Sequence, residues 1–131
     1  MNNLIKQHRD EGVLTLTFNR PDKLNALNTA MYVQLAKLLQ SADEDAETGA
    51  IILTGGDSCF TSGNDLVDFL EHPPTDLCSP AFQLMHVVIH LKKPLIAVVC
   101  GPAIGIGTTL LLHCDQVLVT QNAKLRMPFV N

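Results

Sequence analysis

Residues 13–18 read Val-Leu-Thr-Leu-Thr-Phe. This period of two places Leu14, Leu16 and Phe18 on one face of a strand. Residues 4–7 predict its partner, joined as a hairpin through Arg9-Asp10-Glu11-Gly12. Asn19-Arg20-Pro21-Asp22-Lys23 is loop chemistry, because Pro21 bars a ladder bond and Asp22 favours a turn. The period then becomes helical. From Thr29 to about Asp45, Met31, Leu35, Leu38, Leu39 and Ala42 form one apolar stripe, and Asn28 or Thr29 can cap its start. Acidic residues fill the last turn of that helix against the dipole preference, which predicts an exposed, weakly held end.

Residues 50–54 and 95–100 are continuous apolar runs of strand length, each closed by glycine. Between them the pattern predicts a short strand, a turn, a helix from Asp65 and a surface loop over residues 71–76. Ser79-Pro80 then opens a helix with Ser79 as its cap, and Leu84, Val87, Val88 and Leu91 carry its core face. A glycine turn over residues 101–107 follows, then a helix over 108–113, a strand over 116–120 and a short strand over 124–127. Alternating strands and helices predict an α/β fold.

Composition narrows the function. The chain has 131 residues, 47% of them hydrophobic and 17% charged, which suits one folded domain. The net charge is −4 and no basic cluster stands out, so nucleic acid is not an expected partner. No apolar run approaches the ~18 residues of a membrane-spanning helix, so no membrane is expected either. Cys59, Cys78, Cys100 and Cys114 show no C-x-x-C spacing, which argues against zinc and redox motifs and for a cytosol-like compartment. His86 and His90 share a helix face, but Val87 stands where H-E-x-x-H needs glutamate and no third ligand is evident. They are expected to be packed or solvated, and no metal is expected.

Two glycine turns carry the candidate chemistry. Phe60-Thr61-Ser62-Gly63-Asn64-Asp65-Leu66 and Gly101-Pro102-Ala103-Ile104-Gly105-Ile106-Gly107 each follow an apolar run and lead into a helix. Two such turns can aim main-chain N–H groups at one anion or carbonyl oxygen. Alone, the second turn is a weak signal. Its glycine spacing is the reverse of a dinucleotide fingerprint, and no Gly-Lys-Ser/Thr follows as in a P-loop.

In order along the chain stand Asn-Arg-Pro with Leu24-Asn25-Ala26-Leu27, then the first turn, then Lys-Pro-Leu-Ile-Ala-Val-Val with the second turn. Together they resemble the enoyl-CoA hydratase/isomerase (crotonase) superfamily, from about Val13 to Phe129. The resemblance implies an α/β, crotonase-like spiral of β-β-α units that binds acyl-CoA thioesters. It implies an oxyanion hole made by the backbone N–H groups of Asn64 and Ile106. Leu24, Asn25 and Ala26 match the segment lining the CoA channel. Ser62, Gly63, Asn64, Asp65 and Leu66, with Gly105, match the segments along the acyl and pantetheine part. Asn25 can equally be a loop-fixing side chain, whereas Asp65 is read as the cap or first-turn acid of its helix and Asp115 as a turn anchor rather than a base.

The wording of the motifs is nearest to the Δ3,Δ2-enoyl-CoA isomerase branch. Thr109 stands where the hydratase branch has a glutamate, and a second hydratase glutamate is missing near Phe129. In the isomerase branch one proton-shuttling glutamate follows Met127-Pro128-Phe129, which would place it past Asn131. The chain is therefore expected to be the N-terminal part of a crotonase-like core, lacking a C-terminal helical, trimer-forming part. Its expected partners are an acyl-CoA substrate and, in a full-length protein, copies of itself as a trimer or hexamer. Coenzyme A enters as part of the substrate, and no other cofactor is expected. The compartment implied is the cytoplasm, or a peroxisome or mitochondrion in a eukaryote. A non-catalytic acyl-CoA-binding scaffold without the glutamate is one alternative, and hydration or thioester hydrolysis is another. A half-finished spiral would expose the apolar edges of residues 95–100 and 116–120.

Overall fold

A computed structural model describes residues 3–71 and 79–127. Strand β1 (Ile5–Asp10) pairs antiparallel with β2 (Val13–Phe18) across Glu11 and Gly12. Both turn residues have positive φ, 49° and 82°, as a two-residue hairpin with the strand twist requires. That short turn leaves β1 running to Asp10, farther than residues 4–7. Arg20 leads into a single 3-10 turn, Pro21–Lys23.

From β2 onward the large sheet is parallel. Its order is β1-β2-β3-β4-β6, with β3 at Ala50–Thr54, β4 at Leu95–Val99 and β6 at Gln116–Val119. A second, smaller sheet pairs β5 (Pro102–Ile104) with β7 (Lys124–Arg126), and a lone bridge joins Thr61 to Ala103. The chain thus repeats one course: a strand in the large sheet, an extended piece in the small one, then a helix. This is the α/β spiral of β-β-α units. Strand β5 was not visible in the sequence, where residues 101–107 read only as a turn. Strand β4 lies inside the sheet between β3 and β6, so the expectation of an exposed edge there is corrected; β6 is the edge.

Helix α1 (Thr29–Glu44) begins at Asn28, whose Oδ1 accepts from the Met31 N–H at 2.9 Å. Met31, Tyr32, Leu35, Leu39 and Ala42 are buried on its inner face. It packs on α3 (Pro80–Ile89), which turns Leu84, Val87 and Val88 inward. Two end-of-helix expectations are corrected. The acidic end of α1 is held: the Asp43 carboxylate accepts from the Lys92 and Lys93 N–H groups, both at 3.0 Å, and Lys93 Nζ donates to the Ala42 and Asp45 carbonyls. Ser79 precedes α3 without capping it, and its buried Oγ has no partner among the described residues. The loop expected over residues 71–76 lies outside the described residues, apart from residue 71.

Helices α2 (Leu66–Glu71) and α4 (Ile106–Leu111) follow the two glycine turns. α4 starts two residues before the expected position, because Gly105 is its N-cap and Gly107 lies inside the helix. Phe60, fully buried, meets Phe18 edge-to-face with ring centres 5.4 Å apart, locking the first turn onto the core.

Candidate functional site

The two glycine turns meet through the small sheet. Phe60 N–H donates to the Pro102 carbonyl at 2.9 Å, and Ile104 N–H donates to the Thr61 carbonyl at 3.0 Å. Gly63 follows with φ of 101°, and a Cβ built there would sit 3.1 Å from the Ile104 oxygen. Gly107 makes the reciprocal approach: a Cβ on it would lie 2.4 Å from Thr61 Cγ2. Side chains at either place would push the turns apart.

The first turn is clamped on its other side too. Leu27 N–H donates to the Gly63 carbonyl at 2.8 Å, and Asp65 N–H donates to the Leu27 carbonyl at 2.9 Å. The Asn64 N–H lies between these bonds and has no acceptor among the described residues. Ile106, the first residue of α4, likewise has a free N–H among them. A first-turn N–H has no intrahelical partner, so it remains available to an anion.

Asn25, Thr61 and Arg20 hold the loop that faces these turns. Asn25 is 4% exposed, with φ of 56°. Its Nδ2 donates to the Gly55, Cys59 and Phe60 carbonyls at 3.0, 3.1 and 3.3 Å. Its Oδ1 accepts from the Arg20 N–H at 2.9 Å, and its carbonyl accepts from Thr61 Oγ1 at 2.6 Å. The Asn25 side chain is thus committed to the loop, whereas Leu24 beside it is 61% exposed.

Arg20 Nη1 reaches the Ala26 carbonyl at 3.0 Å and Asp65 Oδ2 at 2.6 Å. The other Asp65 oxygen accepts from the Asp68 N–H at 3.1 Å, as a helix cap does. That N–H, with the Arg20 guanidinium, holds the Asp65 carboxyl below the usual carboxylate range. The role of Arg20 was missed in the sequence; an Arg and an Asp 45 positions apart carry no local sign of pairing.

An open cleft of about 670 Å³ runs along this face, lined among others by Arg20, Lys23, Ala26, Ser62, Asn64, Asp65 and Leu66. It gathers five of the residues singled out in the sequence: Ala26, Ser62, Asn64, Asp65 and Leu66. Gly63 is buried beneath it. Leu24, Asn25, Gly105, Ile106 and Thr109 are not among its lining. Thr109 sits on α4 with its hydroxyl on the Gly105 carbonyl at 3.3 Å, one turn back.

Asp115 anchors a turn: its Oδ2 accepts from the Leu95 N–H at 2.8 Å. The His86 and His90 rings lie 4.2 Å apart, with His90 Nδ1 at 2.8 Å from the His86 carbonyl oxygen. Among the described residues no three His, Cys, Asp or Glu side chains gather as metal ligands, and no helix is long and apolar enough to cross a membrane. The positions of Pro128 and Phe129, where the isomerase and hydratase readings part, lie outside the described residues, as does Cys78.

Residues 8–131 match the family model described as enoyl-CoA hydratase/isomerase. The chain is 38% identical over 127 residues to enoyl-CoA delta isomerase 2 of Homo sapiens, covering 92% of this chain and 32% of that protein. It is 38% identical over 121 residues to 2,3-dehydroadipyl-CoA hydratase of Escherichia coli strain K12, covering 92% of this chain and 48% of that one. The solved structure of Pseudomonas aeruginosa OdaA superposes with a TM-score of 0.94 at 52% identity, over 98% of this chain and 52% of that chain. The chain thus spans between about a third and a half of the length of these relatives.

Proposed function

The chain belongs to the enoyl-CoA hydratase/isomerase family, and on that premise we propose that it carries the anion-binding half of an acyl-CoA isomerase. The reaction is the shift of a 3-enoyl-CoA double bond to the 2-position. A carboxylate base takes the proton alpha to the thioester, and negative charge spreads onto the thioester oxygen. The N–H groups of Asn64 and Ile106 stabilise that oxygen. The same acid returns the proton to C4, and the double bond comes into conjugation with the carbonyl.

One observation carries this reading. The Thr61–Ala103 bridge and the Gly63–Ile104 approach set two turns side by side, each with an N–H that has no acceptor among the described residues. Preorganised donors of this kind are worth most in a site poor in water, and one of them typically supplies ~10²–10³ in rate. The exposed Leu24, Ala26 and the cleft over Ser62 and Leu66 are the proposed CoA and acyl track. The base is proposed to be a glutamate soon after Phe129, and the further length of the relatives to supply a helical part that assembles trimers or hexamers.

Hydration is the second reading, supported by equal identity to the hydratase relative. Thr109 weighs against it, since a hydroxyl spent on a backbone carbonyl cannot act as the carboxylate that water addition needs. The deciding experiment gives a 3-enoyl-CoA to the full-length protein and follows the conjugated thioester. Conjugated product without hydroxyacyl product is expected. Binding of acyl-CoA with no turnover would leave a scaffold, and no binding at all would end the acyl-CoA reading.

A further inference from the structure

Asn64 lines both the open cleft and a second, small cavity, as do Asp65 and Asp68. Tyr32 lines only the second. The peptide on either side of Asn64 is tied: Gly63 N–H to Thr61 Oγ1 at 3.1 Å, Gly63 carbonyl to Leu27, and Asp65 N–H to Leu27. The Asn64 side chain is held from another element. Tyr32 O–H, on the buried face of α1, donates to Asn64 Oδ1.

We propose, building on the acyl-CoA reading above, that Tyr32 is a positioning residue for the reaction, holding the Asn64 carboxamide oxygen toward α1 and steadying the peptide whose N–H meets the thioester oxygen. Three features make the tether effective. Tyr32 is 5% exposed on a capped helix, so its hydroxyl cannot wander. Burial, with the Asp68 charge nearby, pushes its phenol pKa upward, which keeps the proton it donates. A carboxamide whose oxygen is held on one side presents its N–H₂ on the other. The Asn64 oxygen, which would repel a developing oxyanion, is thereby kept off the cleft.

The test is Tyr32→Phe in the full-length protein, which keeps the ring in the core and removes only the hydroxyl. A fall of about five-fold in kcat, the size of one net hydrogen bond, is expected with KM unchanged. In an Asn64→Ala background, where the backbone N–H remains but the tether has no acceptor, Tyr32→Phe is expected to do nothing more. The Asn64 side-chain N–H₂ resonances are expected to move and broaden in the single variant. An unchanged kcat, an equal fall in both backgrounds, or unmoved Asn64 resonances would each overturn the proposal. A wild-type protein that turns over no acyl-CoA would instead overturn the isomerase reading, and the positioning role of Tyr32 with it.

Discussion

Gly63 and Gly107 act by what they lack. A Cβ at Gly107 would stand 2.4 Å from a fully buried threonine methyl, and one at Gly63 would press on a backbone carbonyl at a φ of 101°. Their absence lets two main-chain segments share one small sheet. Ile106 allows one donor to be removed cleanly, because it is the first residue of α4, where proline is tolerated. Ile106→Pro is expected to lower kcat by ~10²–10³ in the full-length protein. Ile106→Ala, which keeps the N–H, serves as the control for lost side-chain packing and is expected to cost far less. Equal losses in steady-state assays of the two variants would remove Ile106 from the mechanism. The same scale explains Asn25. Its buried amide serves three carbonyls, so its contribution to any CoA channel comes through the neighbours it positions.

At the scale of elements, helix ends depart furthest from their sequence signals. Ser79-Pro80 has the composition of a cap, yet the Ser79 hydroxyl is buried without a partner among the described residues. The acidic end of α1 lacks basic residues of its own, yet Lys93, reached through α3, supplies them from outside the helix. Ser79→Ala is therefore expected to cost nothing, where loss of a working serine cap costs about 1 kcal/mol. Lys93→Ala is expected to destabilise by about 1 kcal/mol, through loss of charge-assisted bonds to carbonyls at a helix C-terminus. Urea unfolding of both variants checks the pair, and the reverse order would contradict this account of the two ends. Strand β5 escaped notice for a related reason. Three residues between glycines have no period, and pairing with β7 makes them a strand.

At the scale of the whole molecule, the parallel sheet is covered through β4 and then opens. Leu112, Leu118, Val119 and Leu125 are each at least half exposed around β6 and β7. An uncovered strand edge flanked by apolar side chains invites pairing with another chain. These 131 residues by themselves are expected to self-associate, and light scattering across a dilution series checks it. A monomer at every concentration would show that this face needs no cover.

The chain alone determined the period-two strand at Leu14-Leu16-Phe18, the α1 stripe with its cap at Asn28 or Thr29, the alternation that makes an α/β fold, and the two glycine turns. Each is a pattern carried by neighbours, and strand pitch, helix pitch and turn geometry are local properties. Tertiary structure decided the rest: the Thr61–Ala103 bridge, the Arg20–Asp65 pair, the Tyr32–Asn64 tether and the Lys93 hold on α1. These join residues from 32 to 51 positions apart. Such contacts are selected by how the whole core packs, a condition that no short window of residues contains.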